Sequence, residues 1–231
     1  MKEDLHIHSA LSPCADDDML PTNIVRMALL NRLTRIAVCD HNSVANQIAL
    51  KQAADKFGLN YGFGVELQTL EEVHVLGYFE TIEDILKMDE WLCEVSDPAP
   101  NRIDLFGNQW IVDQDDTLIK QHSGSLIRSL NASLNQCVSR IHACHGKAVL
   151  AHVLGRSNGI IHQLAFIPKN LAIDGIEVNE IGQKQELIEK FPWLANVPFF
   201  LNSDAHRLID LRDADETDWL DDWEILWRKR E

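Results

Sequence analysis

Apolar residues fall along this chain in two alternating rhythms. Short apolar runs such as Ile36-Ala37-Val38-Cys39, Ala148-Val149-Leu150-Ala151 and Phe199-Phe200-Leu201 have the length of strands. The stretches between them repeat their apolar positions at helical spacing. The pattern predicts strand 2–8, helix 21–33, strand 35–39, helix 43–57, and strands 60–66 and 72–79. Helix 81–95 follows, then helix 131–145, strand 147–152, helix 159–166, strand 173–178, helix 183–190, strand 198–202 and a last helix at 216–229. Strands spaced by helical segments indicate βαβ units and a mostly parallel sheet, an α/β fold. Pro21 suits a first helical turn, and Thr22 and Asn23 supply short polar side chains there. Gly58 and Gly146 stand where helices should stop, and Pro198 opens a strand at a position needing no ladder donor. In the last helix Trp219, Trp223, Leu226 and Trp227 form an apolar stripe, expected to pack on the body of the fold.

Residues 96–130 are the least regular. Pro98 and Pro100 break the helix before them, Gln109 to Val112 make a short strand, and Asp113 to Asp116 read as a turn. This is expected to be an insertion, either a lid over a site or a passive surface excursion.

With 231 residues the chain fits one domain, 1–231, of α/β-barrel size. It opens with Met1-Lys2-Glu3-Asp4 and goes straight into a strand, so no signal peptide is expected, and no apolar run predicts a membrane span or a membrane partner. Cys14, Cys39, Cys93, Cys137 and Cys144 are scattered without a CxxC pair, which reads as reduced thiols in a cytoplasmic protein. A formal net charge of -15 argues against a long nucleic acid as partner, because phosphate-backbone affinity comes from Lys and Arg replacing counterions. It leaves room for a small phosphorylated substrate, since bound divalent cations make a pocket locally positive whatever the outer surface does.

The candidate chemistry sits at strand ends. In Asp4-Leu5-His6-Ile7-His8 the period of two puts Asp4, His6 and His8 on one face, a pincer for a divalent cation with an anion in register to fix the tautomers. The loop Ser12 to Pro21 carries Asp16, Asp17 and Asp18 ahead of a helix, where Asp17 and Asp18 read as helix-start partners. Further strands end in Asp40-His41, Glu66, His152 and Asp204-Ala205-His206, and His74 lies among β-branched residues. In barrels of parallel strands the carboxyl ends converge on one face, and chemistry sits there. Imidazoles and carboxylates with no thiolate suit Mn2+, Fe2+ or Zn2+. Clustered divalent ions lower the pKa of a bridging water and neutralise phosphoryl oxygens, which suits attack on a phosphate monoester.

As an ordered set these residues resemble the PHP (polymerase and histidinol phosphatase) superfamily of metal-dependent phosphoesterases. The matching motifs are Asp4-x-His6-x-His8, Asp16 with Pro21, Asp40-His41, Gly64-Val65-Glu66, His74, Ala151-His152, Gly175-Ile176-Glu177-Val178-Asn179 and Ser203-Asp204-Ala205-His206. The resemblance implies a distorted (βα)7, TIM-like barrel with two to three divalent ions (Mn, Fe or Zn), up to a trinuclear site. It implies one ion on His6, His8, Glu66 and Asp204, a second on Asp16, His41 and His206, and a third on His74 and His152 with Glu66 as bridge. Asp16 is preferred to Asp17 for its distance to Pro21. Glu66 and Asp204 become the central catalytic carboxylates, with Asp40 and Asp4 orienting ligands from behind. Arg156, on the loop after His152, is the first candidate for a phosphate clamp and Arg207 the second. His122, His142, His145 and His162 have no place in the pattern, and Cys14 is not assigned. The implied function is hydrolysis of phosphate esters of a small metabolite or nucleotide. The alternatives are a non-catalytic module that keeps its metals, and an amidohydrolase-type C–N hydrolase. The last is disfavoured because no lysine stands at a mid-chain strand end to serve as a carbamylated bridge.

Overall fold

The computed structural model describes residues 1–228. Strands and helices alternate as β1 (Glu3–Ile7), α1 (Pro21–Leu30), β2 (Arg35–Val38), α2 (Gln47–Phe57), β3 (Asn60–Gln68), β4 (His74–Phe79) and α3 (Ile82–Val95). Next come α4 (Ile103–Phe106), β5 (Trp110–Val112), β6 (Leu118–Gln121), α5 (Leu134–Ala143), β7 (Lys147–Leu150) and α6 (Ile160–Leu164). The chain closes with β8 (Gly175–Val178), α7 (Gly182–Lys190), β9 (Phe199–Leu201) and α8 (Trp223–Trp227). Seven strands form one sheet in the order β1-β2-β3-β4-β7-β8-β9, with β5 and β6 as a separate pair. A parallel bridge from Ile7 to Ala205, with His8 N donating to Ala205 O at 2.9 Å, brings the two edges together into a barrel.

The sheet is parallel except at β4, which runs antiparallel to both β3 and β7. The few residues between β3 and β4 can close a hairpin but cannot make a parallel crossover. This reversal matters for the site. The first residue of β4, His74, thereby lies at the same end of the barrel as the last residues of the parallel strands.

Inside the barrel Leu5, Ala37, Leu76, Tyr78, Val149 and Phe200 pack together, and Trp223 and Leu226 join them from below. The Trp223 ring meets Tyr78 edge-on at 5.6 Å and lies so close to Gly62 that no Cβ would fit there. Trp223 N–H donates to Glu3 Oε2 at 2.8 Å, so this plug sits at the amino end of β1, opposite the mouth. The last helix is shorter than the sequence pattern suggests. Residues 216–222 are not helical, because Trp219 leaves the stripe to stack on the Arg212 guanidinium at 4.2 Å. Residue 229 of the expected helix lies outside the described residues. α2 begins at Gln47 rather than 43, because Asn42 takes φ +48° and the Asn46 amide reaches across to Trp110 O at 3.0 Å. α5 starts from a Ser133–Gln136 capping box and ends before His145, which takes φ +60° where Gly146 was expected to stop the helix.

The irregular stretch 96–130 folds as α4 and the β5–β6 hairpin, whose turn is closed by Asp113 N to Thr117 O at 3.0 Å. It rests on the loop after β1, with Trp110 N donating to Ala10 O at 2.7 Å. Among the described residues no helix is long and apolar enough to cross a membrane.

Candidate metal centre

The strand ends bring six imidazoles onto two carboxylates. Glu66 is the hub, and it is almost fully buried at 1% exposure. Its Oε1 lies 2.8 Å from His74 Nδ1, 3.1 Å from His152 Nε2 and 3.5 Å from His6 Nε2. Its Oε2 lies 3.0 Å from His41 Nδ1 and 3.4 Å from His8 Nε2. Asp204 is the second centre: Oδ1 is 3.3 Å from His8 Nε2, 3.6 Å from His6 Nε2 and 3.7 Å from His206 Nδ1. His152 at φ +27° and Asp204 at φ +53° both hold left-handed backbone. Each costs about 1–3 kcal/mol, the kind of strain that concentrates at functional sites. Neighbouring bonds hold both residues there. His152 N donates to Glu177 Oε2 at 2.9 Å, and Ser203 Oγ donates to Asp4 Oδ2 at 2.6 Å.

Behind the ligand atoms stands a layer of hydrogen bonds that turns the rings. His6 Nδ1 faces Glu177 Oε2 at 2.9 Å, which leaves Nε2 toward Glu66 and Asp204. Asp40 accepts from Ser9 N at 2.7 Å and from Ser12 Oγ at 2.7 Å; that serine oxygen stands 3.0 Å from His8 Nδ1. Asp40 thus acts on His8 through Ser12. Asp4 touches neither ring. It binds Ser203 and the backbone of Arg212, so the anion in register on β1 steers the Asp204 loop and leaves the imidazoles to Glu177.

The electrostatics of the cluster are those of carboxylates that require positive charge. Burial alone would raise Glu66 and Asp204, yet the surrounding imidazoles hold both below the ordinary carboxylate range. Burial pulls His8 down, but bonds to Asp204 and Glu66 lift it to about 9. Burial likewise opposes the charge on His6, and Glu177, Glu66 and Asp204 outweigh it, raising that ring well above its usual value. His74 and His206, desolvated beside rings that already carry charge, fall to about 4. Protons and divalent cations compete for these nitrogens. The donor set fits cations: three groups, His6/His8/Glu66, His41/Glu66/His74 and His8/Cys14/His41/His206, each hold their ligand atoms within 4.8 Å of one another. The Nδ1 atom of His152 is buried with no hydrogen-bond partner among the described residues, and His41 Nδ1 meets Glu66 Oε2 at 3.0 Å.

No family model matches the sequence. A 5'-3' exoribonuclease of Haemophilus influenzae is 24% identical over 228 residues, spanning 80% of this chain and 81% of that protein. Among solved structures, a protein of Bifidobacterium adolescentis for which metal-dependent phosphoesterase activity has been suggested superposes with a TM-score of 0.66 at 16% identity, covering 99% of this chain and 96% of that one. The lesion-specific endonuclease PfuEndoQ of Pyrococcus furiosus gives a TM-score of 0.63 at 16% identity over 92% of this chain and 50% of that chain, so this chain spans half of it. An amidohydrolase of Chromobacterium violaceum gives 0.61 at 19% identity, covering 94% and 92%. The fold is shared with these hydrolase structures.

On this scaffold the side chains of His6, His8, His41, Glu66, His74, His152, Asp204 and His206 lie together at the barrel mouth. Asp16 does not join them. Its side chain is exposed, and its backbone N donates to His206 O at 2.9 Å, which turns the carboxylate outward. Asp17 is bonded to Asn108 at 2.9 Å and to Trp110 Nε1 at 3.0 Å, away from the cluster. Cys14 stands where a carboxylate of this loop was expected. Arg156 is half exposed at the rim, 3.3 Å from Asp204 Oδ2. Arg207 is paired with Asp210 at 2.7 Å. Glu177 and Cys14 are the site residues that sequence reasoning left without a role. The signal for Glu177 was an acid inside the apolar run Ile176-Glu177-Val178; for Cys14 it was a position in the first loop after the His-x-His pair.

Proposed function

We propose that the protein is a divalent-metal-dependent phosphoesterase that cleaves phosphate from a small metabolite or a nucleotide. The observation that carries this reading is Glu66, with five imidazoles within 3.5 Å, at the base of a cavity whose rim holds Arg156. Divalent ions held by these imidazoles and carboxylates would supply Lewis acidity toward a phosphoryl oxygen and lower the pKa of water near neutral pH. The chain's residues do the rest. His6, Glu66 and Asp204 fix the positions of positive charge, and Glu177 and Ser12 hold the rings at the angles those positions need. Arg156, half exposed and 3.3 Å from Asp204 Oδ2, is placed to reorient and grip two phosphate oxygens in a bidentate fork. Ser157 and Asn158 complete the wall beside it.

The dimensions support a compact substrate. The inner cavity is about 190 Å³, enough for a phosphoryl group and its immediate substituent. It opens onto a shelf of about 600 Å³ lined by Arg156, Ser203, Asp204, His206, Arg207 and Asp210, where the remainder of a nucleotide-sized molecule can rest. The net charge of -15 opposes a long duplex or single strand. The exoribonuclease relative supports a second substrate class, the terminal phosphoester of a short oligonucleotide. A screen of nucleotides, sugar phosphates, histidinol phosphate and short oligonucleotides, with and without Mn2+, separates the two. Turnover of small monoesters is expected. Turnover confined to oligonucleotides moves the assignment to an exonuclease. With the metals bound, inactivity on every substrate makes the protein an accessory module.

A further inference from the structure

Resting on that metal-dependent reading, we infer that Cys14 is a thiolate ligand that closes a three-imidazole, one-sulfur site with His8, His41 and His206, and that this site takes a thiophilic ion unlike those around Glu66. The ligand atoms of the four residues lie within 4.8 Å of one another. The His8 ring stacks on His206 at 4.3 Å and lies tilted by 41° to His41 at 4.5 Å between centroids, so the three imidazoles are already gathered around His8. His41 is 7% exposed, and its Nδ1 lies 3.0 Å from Glu66 Oε2. No carboxylate belongs to this group.

The loop is built to present residue 14 and to withhold its acids. Ala15 N donates to Ser12 O at 2.9 Å, closing a turn with Cys14 at its crest. The Asp16 backbone is tied to His206 O, which fixes the loop against the same histidine that lines the site. Asp17 is held by Asn108 and Trp110 of the insertion, and Asp18 is exposed with its carbonyl bonded to Asn23 at 3.0 Å. Gly107, at φ +95°, lets the insertion pack directly on Pro13 O, where a Cβ would collide. The insertion therefore braces the loop from outside at Pro13 and Asp17, on either side of the cysteine.

Ligand softness sets what such a site prefers. Three imidazoles and a thiolate suit Zn2+, Fe2+ or Co2+, whereas the carboxylate-bridged positions on Glu66 also admit Mn2+ and Mg2+. The site would then be mixed in metal, with the sulfur marking one member.

The test is a Co2+ titration of the chelator-stripped full chain under reducing, anaerobic conditions, read by absorption and by metal counting. The wild type is expected to gain a near-ultraviolet thiolate-to-cobalt charge-transfer band. C14S should lose the band with unchanged circular dichroism, and C14D should lose it while keeping the ion count and shifting preference from Zn2+ toward Mn2+. Cobalt bound without the band in wild type overturns the ligand and leaves the hydrolase reading standing. A band that survives in C14S also overturns it, by assigning the sulfur to another cysteine. A chain that binds no cobalt overturns both.

Discussion

Glu177→Gln isolates what orients the first histidine. The Glu177 carboxylate is buried at 1% exposure and accepts from His6 Nδ1 at 2.9 Å, from His152 N at 2.9 Å and from Asn202 Nδ2 at 2.7 Å. Glutamine offers one acceptor oxygen. Placed to satisfy His6 and His152, it turns its NH2 toward the NH2 of Asn202. Asn202 cannot simply flip, because its Oδ1 already accepts from Leu5 N at 3.0 Å. One pair of buried donors is left facing each other, at a cost of about 1–3 kcal/mol. For a domain of this size that lowers Tm by roughly 2–4 °C per kcal/mol. Separately, His6 loses the charge that makes it a basic ligand, and such changes behind a ligand weaken metal by about 10–100-fold. The assay pairs urea unfolding of the stripped protein with calorimetric Mn2+ titration. Both losses are expected. A variant destabilised as above but binding Mn2+ with wild-type affinity would refute the claim that Glu177 acts through His6.

Other outcomes follow from the same geometry. Trp223→Ala removes the plug at the closed end of the barrel and should cost about 3–5 kcal/mol in denaturant unfolding while metal content per folded chain stays the same; an equal loss of metal would mean the plug and the mouth are coupled. Arg156→Ala should raise KM for a phosphate ester with little change in metal content, and a variant with fewer bound ions and unchanged KM would place Arg156 in ligand support instead. His8 and His41, both at about 9, carry protons at pH 7 that a cation must displace. Metal uptake at pH 7 should therefore release protons, and affinity should fall as pH drops below about 9; calorimetry in two buffers of different ionisation enthalpy measures the release, and metal binding with none would contradict the charge state.

The barrel and most of its mouth were legible in the sequence because strands impose a period of two and their ends are abruptly polar. Apolar Ile36-Ala37-Val38 running into Asp40-His41, or Ala148-Val149-Leu150 into His152, marks where a buried strand surfaces. His74 was legible as a candidate, but its place at the mouth depends on β4 running backward, a consequence of hairpin closure. The first loop was the least legible part. Which of Cys14, Asp16 and Asp17 faces inward is set by backbone bonds from residue 16 to residue 206 and by an insertion nearly a hundred residues downstream, and neither is encoded in local spacing. Asp4 was expected behind the histidines because it shares their face of β1. Register on one strand, however, does not say which strand supplies the anion, and Glu177 on β8 comes nearer.

The central claim is that Glu66 is shared between divalent ions at the barrel mouth. A crystal of the full chain loaded with Mn2+, with anomalous diffraction collected above the manganese edge, addresses it directly. The expected result is two or three peaks, with both Glu66 oxygens in coordination distance of ions and at least two ions touching that one carboxylate. Peaks confined to the outer surface, or ions in the cavity that leave Glu66 uncoordinated, would contradict the account.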